Sequence, residues 1–162
     1  MIGRKGGARF VTQVDRKSRF LLAAKVQNGT AEAVRDTLIR MFSALPVEKL
    51  RSITPDRGHE FAKYSEVSDA LHDVPFYFAD PYSPWQRGTN ENTNGLLRQF
   101  FPKETSFDDI SDTQLACIVN KINLRPRKCL DWQTPFEVFF DKCPRFIADH
   151  VFKVQGQNIP HD

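Results

Sequence analysis

Hydrophobic and polar positions change period several times along this chain, and each change marks an element. "ARFVTQVD", residues Ala8 to Asp15, alternates with period two. After the polar turn "KSR", the run "FLLAAKV" is apolar and of strand length, so the two segments predict a β-hairpin closed by a tight basic turn. Asn28-Gly29 ends the hairpin. Thr30 is placed to cap a helix in which Val34, Leu38, Met41, Phe42 and Leu45 recur at helical spacing, and Pro46 marks the stop. "LRSITPD" reads as a short buried strand ending at Asp56, "EFAKYSEVSDAL" as a helix, and "VPFYFAD" as another strand ending at Asp80. A loop comes next and runs into a helix near Thr89. Ser111 with Gln114 forms a capping box ahead of the apolar stripe Leu115, Ile118, Val119 and Ile122. Thr134-Pro135 opens a short helix, "PFEVFF", with proline at a favoured first-turn position. Early strands followed by interleaved helices predict an α/β layered domain with a mixed sheet.

Composition narrows the class. At 162 residues, with 40% hydrophobic and 27% charged positions, the chain is one domain's worth and has enough apolar material for a proper core. Most of its 14 phenylalanines are expected inside. Net charge is only +3, short of the footprint of a dedicated DNA-binding module, yet the cations are clustered. Arg4, Lys5, Arg9, Arg16, Lys17, Arg19 and Lys25 precede any long acidic stretch, with Asp15 the one acid among them, and "LRPRK" makes a second cluster at Leu124 to Lys128. These suggest a polyanion only weakly, because charge runs are commonly plain solvated surface. Cys117, Cys129 and Cys143 are far apart and odd in number, which argues against a disulfide framework or a zinc site and for a reducing compartment. No apolar run approaches a membrane span and the N-terminus has no signal-peptide pattern, so a cytoplasmic protein is expected.

Two acids stand out by position. Asp56 lies at the carboxyl end of a predicted strand, where ligand sites of open α/β sheets gather. Glu91 lies in the first turn of a predicted helix. Each has an ordinary explanation alone: an aspartate before Arg57-Gly58 forms turns, and an acid at a helix start suits the dipole. They are 35 positions apart, separated by one helix and one strand, a connection able to return both carboxylates to one sheet edge. Hard divalent cations take one or two such carboxylates, and oxygen ligands suit Mg²⁺ and Mn²⁺ alike.

At these acids the chain resembles a known family. "TPDRGHEF" is similar to the segment around the second aspartate of DDE transposases and retroviral-type integrases. "YSPWQRGTNENTNGLLRQFFPK" resembles the segment around their glutamate, in the form found in the IS30 family of bacterial insertion-sequence transposases. "VDRKSRF" and "NLRPRKCLDWQTPFEVF" resemble the second strand and C-terminal segment of the same family. The resemblance implies a ribonuclease-H-like catalytic core over 1–145, a mixed sheet flanked by helices, with 146–162 as a C-terminal tail. It implies DNA cleavage and strand transfer at two Mg²⁺ (or Mn²⁺) ions, with Asp56 and Glu91 as catalytic metal ligands. The partners it implies are DNA, both transposon ends and target, and other transposase chains. Around the metal, Trp85 is expected to stack on a base or sugar, Gln86 and Arg87 to bind phosphate, and Asn92 and Asn94 to reach sugar or base edges. Arg98, seven residues after Glu91, is expected on the same helical face, aimed at the same anion.

The chain departs from the family pattern at its start. The family's first aspartate belongs to the opening strand, and "MIGRKGG" resembles the tail of that strand's pattern, so the aspartate is expected to lie before Met1 and the first strand to be incomplete. An incomplete first strand would leave the "FVTQV" strand with an open edge, which invites pairing with another chain. Asp15 is the nearby acid, but its place in "VDRKSRF" fits a strand-end residue pairing with Arg16 or Arg19 rather than a ligand. A polypeptide with two of three carboxylates is expected to be inactive in strand transfer by itself. The alternative is a non-catalytic DNA-binding or assembly remnant that associates with full-length transposase. A housekeeping nuclease of the ribonuclease H type fits less well, because "SPWQRGTNENTNG" has the transposase form.

Overall fold

The hairpin forms where the alternation placed it. In the computed structural model, which describes residues 7–55, 58–80 and 88–142, β1 (Arg9–Val14) pairs antiparallel with β2 (Leu21–Val26), Arg9 opposite Val26 and Val14 opposite Leu21. Arg19, at φ 64°, closes the turn in a left-handed conformation that non-glycine residues seldom adopt. The Asp15 carboxylate makes this tolerable by accepting from the Ser18 amide at 2.7 Å and the Ser18 hydroxyl at 2.6 Å.

Because side chains alternate across a strand, the hairpin partitions two cores. Phe10, Leu21 and Ala23 face one side with Leu97, Phe101, Phe107, Leu115 and Val119. Val11, Phe20, Leu22 and Val26 face the other with Val34, Leu38, Phe42, Phe136 and Phe139. Helices α3 (Gly88–Phe100) and α4 (Asp112–Asn123) cover the first face. The second is covered by α1 (Ala31–Ser43), α2 (Tyr64–Ala70) and α5 (Pro135–Phe140). Phenylalanines anchor both layers: Phe10 stacks on Phe107 at 3.9 Å, and Phe20 on Phe139 at 4.6 Å.

The helix starts are capped as the sequence requires. The Thr30 hydroxyl accepts from the Ala33 amide. Ser111 and Gln114 exchange both hydrogen bonds of a capping box, and Thr134 with Glu137 makes a second one that the sequence reading passed over.

Two expectations are corrected between residues 50 and 80. The predicted strands "LRSITPD" and "VPFYFAD" meet in a single parallel bridge, Ile53 to Phe76, held by the Ile53 amide on the Pro75 carbonyl and the Tyr77 amide on the Ile53 carbonyl, both 2.9 Å. Pro55 and Pro75 each lack the amide a longer ladder would use. The helix expected over "EFAKYSEVSDAL" is a 3₁₀ turn at His59–Phe61 followed by α2, which starts at Lys63 without a side-chain cap. It ends before His72 and Asp73, both left-handed. The described sheet is the two-stranded antiparallel hairpin, flanked by helices on both faces, and the parallel bridge stands apart from it. Among the described residues no helix is long and apolar enough to cross a membrane, and Cys117 and Cys129 are free thiols at the surface. Cys143 lies outside the described residues.

Candidate functional site

Among the described residues, a cleft of about 1000 Å³ lies between β1 and the segment Arg51–Pro55, with Thr89, Asn90, Asn94 and Arg98 of α3 along one wall. Helix α3 presents this wall because positions 90, 94 and 98 stack on one face, while Thr93 and Leu97 turn into the core. Arg19 ties the hairpin turn to the start of α3 through a hydrogen bond from its guanidinium to the Thr89 hydroxyl. The Thr12 hydroxyl donates to Asn94 Oδ1 at 3.1 Å, fixing the middle of the helix against β1.

Glu91 sits in the first turn of α3, exposed, one position from Asn90 and outside the cleft lining. There the helix dipole favours the negative charge of its carboxylate. Asn92 is exposed on the same turn. Asn94 is half-buried in the cleft wall, with its Oδ1 accepting from Thr12. Arg98 is at the cleft, but its Nη1 is directed to the carbonyls of Pro102 and Phe101 at 3.3 and 3.5 Å and its guanidinium lies 5.8 Å over the Phe107 ring. It therefore closes the C-terminal end of α3 as well as lining the cleft.

Asp56, Trp85, Gln86 and Arg87 lie outside the described residues, so the Asp56–Glu91 pairing does as well. Among the described residues no three acids, histidines or cysteines gather as a metal cluster. Asp15 lines the cleft, but the carboxylate is bound to Ser18, and Arg19 goes to Thr89 rather than to Asp15. Asp15 builds the turn.

The basic clusters divide between structure and surface. The Arg9 guanidinium fills the space a side chain at Gly29 would occupy, and Lys25 donates to the Ile110 carbonyl at 2.6 Å. Arg16 and Lys17 are exposed at the turn by the cleft. In the second cluster, Arg125 and Lys128 are exposed, whereas Arg127 is half-buried. Burial pushes the Arg127 guanidinium down from its ordinary range, with Arg125 nearby adding to the shift. Beside it stands Trp132, 70% exposed and held at φ 65°.

Sequence reading missed Asn123. It is buried at 1% exposure, its Oδ1 accepting from the Leu21 amide at 2.8 Å and its Nδ2 donating to the Leu21 carbonyl at 2.9 Å. The signal was present: an asparagine four residues after Val119 on an otherwise apolar stripe.

Comparison with known proteins gives consistent results. No family model matches the chain. It is 44% identical over 127 residues to the transposase of insertion sequence element IS30A from Escherichia coli, covering 78% of this chain and 33% of that one. It is 42% identical over 125 residues to the transposase of IS1086 from Cupriavidus metallidurans, covering 77% of this chain and 37% of that protein. The chain thus spans about a third of the length of the curated relatives it matches. In three dimensions it resembles a chain of the simian T-cell lymphotropic virus intasome, with a TM-score of 0.65 over 88% of this chain and 51% of that one, at 22% identity. The fold is ribonuclease-H-like, as the sequence implied.

Proposed function

Starting from a chain that belongs, over most of its length, to the IS30 family of insertion-sequence transposases, we propose that it is the catalytic-core portion of a DDE-type transposase acting on DNA. The observation that carries this reading is the 44% identity over 127 residues, 78% of this chain, to the IS30A transposase. The carboxylates of Asp56 and Glu91 would hold a divalent cation. Oxygen donors fit Mg²⁺ or Mn²⁺, and Glu91 is exposed at a helix start where a hydrated ion can reach it. A cation bound there would neutralise charge developing on the phosphate oxygens of the DNA.

The chain's own side chains do the rest. Arg16 and Lys17 beside the cleft attract the phosphate backbone. Arg87, Gln86 and Asn92 bind phosphate or sugar, and Trp85 stacks on a base. Arg98 holds the far end of α3 in place, so that Glu91 projects from a rigid helix.

The test is a binding titration with Mn²⁺ and with a DNA duplex. Glu91→Gln is expected to weaken Mn²⁺ binding at least tenfold while leaving metal-free DNA binding within twofold. Unchanged Mn²⁺ affinity would remove Glu91 from the site. The 162-residue polypeptide by itself is expected to bind DNA with a steep salt dependence and no strand transfer, because two carboxylates do not complete a two-ion site. Mg²⁺-dependent joining by the purified polypeptide would overturn that expectation. Salt-dependent binding without Mn²⁺ affinity would favour the assembly-module reading.

A further inference from the structure

Outside the cleft, the segment from Leu124 to Gln133 carries side chains that neither the core nor its own turn accounts for. None of its residues lines the cleft. The segment closes on itself: the Arg127 amide donates to the Gln133 carbonyl, and the Leu130 and Trp132 amides donate to the Arg127 carbonyl, all at 3.0 Å. The capping box at Thr134 and the buried Pro135 and Phe136 fasten its end to the core. Asp131 and Trp132 both lie in the left-handed region, at φ 50° and 65°, where glycine or asparagine is the unstrained choice. The backbone therefore disfavours an indole there, and at 70% exposure burial does not place it either. Arg125 and Lys128 are exposed in the same loop, and Arg127 is half-buried. Among the described residues none of these three cations forms an ion pair, and Asp131 is the one acid of the segment. Arg127 Nε is buried without an acceptor, and Nη2 reaches the Ile122 carbonyl only at 3.4 Å. Desolvated and crowded by Arg125, this guanidinium lacks a neutralising anion.

We infer that this loop is a binding surface for an unpaired nucleic-acid strand, with Trp132 the platform on which a base stacks and Arg125, Arg127 and Lys128 its phosphate contacts. Three cations against one acid select an anionic partner. The exposed indole decides among anions. It offers a flat apolar face, and the matching face on a nucleic acid is that of a base. In a duplex those faces are covered by neighbouring pairs, which leaves edges and phosphates for a protein to touch. An unpaired strand presents phosphates and base faces together, so it engages all four side chains. An acidic peptide would satisfy the cations and leave the indole without a stacking partner. The loop is already closed by its own hydrogen bonds, which lowers the ordering cost of capture. This surface lies apart from the cleft and needs no metal, so it stands or falls separately from the roles proposed for Asp56 and Glu91.

The experiment uses the full 162-residue chain carrying Trp85→Phe, which leaves Trp132 as its one tryptophan. Its emission is followed at low salt, without divalent cations, as an oligothymidine of about 15 nucleotides is added. Quenching of at least twofold is expected, whereas a blunt duplex of about 50 base pairs is expected to leave the emission nearly unchanged. Changing Arg125→Ala and Lys128→Ala together is expected to weaken the oligonucleotide titration at least tenfold and to lower its salt slope by about 1. In the same background, Trp132→Ala is expected to lose at least fivefold in affinity for a labelled oligonucleotide, and Trp132→Phe, which can still stack, to stay within threefold. An emission that oligothymidine does not change would overturn the inference. So would equal losses from Trp132→Phe and Trp132→Ala, which would mean that the ring does not stack. Equal quenching by the duplex would reduce the surface to a phosphate contact, and stronger quenching by an acidic peptide of matched charge would assign it to a protein. Either result overturns the chosen occupant.

Discussion

The two outer edges of the same hairpin are treated in opposite ways. On β2, the edge at Leu21 is sealed by a single buried side chain, with Asn123 taking both the amide and the carbonyl. On β1, the equivalent groups of Thr12 and Val14 face a cavity and have no partner among the described residues. Natural sheets blunt or cover their edges because an open one templates pairing. Among the described residues, one edge is closed by a dedicated asparagine and the other borders the cleft.

Breaking the sealed edge should have the largest effect. Asn123→Ala strands two buried backbone groups at Leu21, at roughly 1–3 kcal/mol each, so a loss of about 3 kcal/mol is expected in urea unfolding. A loss well under about 1 kcal/mol would mean water replaces the amide and the two edges are not different. The next effect sharpens the contrast with a pair of prolines. Ala24 stands opposite Val11 in a hydrogen-bonded pair, so Ala24→Pro removes a ladder bond and is expected to cost about 2 kcal/mol. Thr54→Pro removes an amide with no partner among the described residues and is expected to stay within about 0.5 kcal/mol. Equal losses would show that Thr54 is already paired.

The smallest effect lies away from both edges. Arg35 bridges Asp36 and Glu66, and Lys63 bridges Glu32 and Glu66, across α1 and α2. The hydrogen bond from Arg35 holds the Glu66 and Asp36 carboxyls below their ordinary range; backbone hydrogen bonding and then Lys63 do the same for Glu32. A folded-state pKa below the unfolded one stabilises above the unfolded value, and that contribution disappears as pH falls through the folded value. The melting temperature should therefore drop slightly below about pH 4, and about 1 M salt should erase most of the pH dependence, since these groups are exposed. A slope that survives such salt would place the responsible acids elsewhere.

What the sequence revealed depended on how local the signal was. The hairpin, α1, α4 and α5 were legible because alternation, helical spacing and caps at Thr30, Ser111 and Thr134 all act within a few residues. The 50–80 region was not, because a strand is defined by its partner. "LRSITPD" and "VPFYFAD" have strand composition, yet Pro55 and Pro75 leave them one bridge. Among the site residues, Glu91 was legible as a helix-start acid. The partners of Asn94 and Arg98, Thr12 and the carbonyls after Phe100, were not legible because they come from tertiary packing. Asn123 was visible as a polar residue on an apolar stripe, but its partner lies 102 positions away.

The hairpin is also a partition one layer thick between two differently filled rooms. Neighbouring residues of a strand enter opposite rooms, so an inserted residue within β1 or β2 would send Phe10 and Leu21 to the side shaped for Val11 and Leu22, and the reverse. The five-residue turn from Asp15 to Arg19 thus fixes which room each side chain enters. Changes of chain length there should be far less tolerated than at the exposed turn of Pro102–Thr105, where no partition depends on the count.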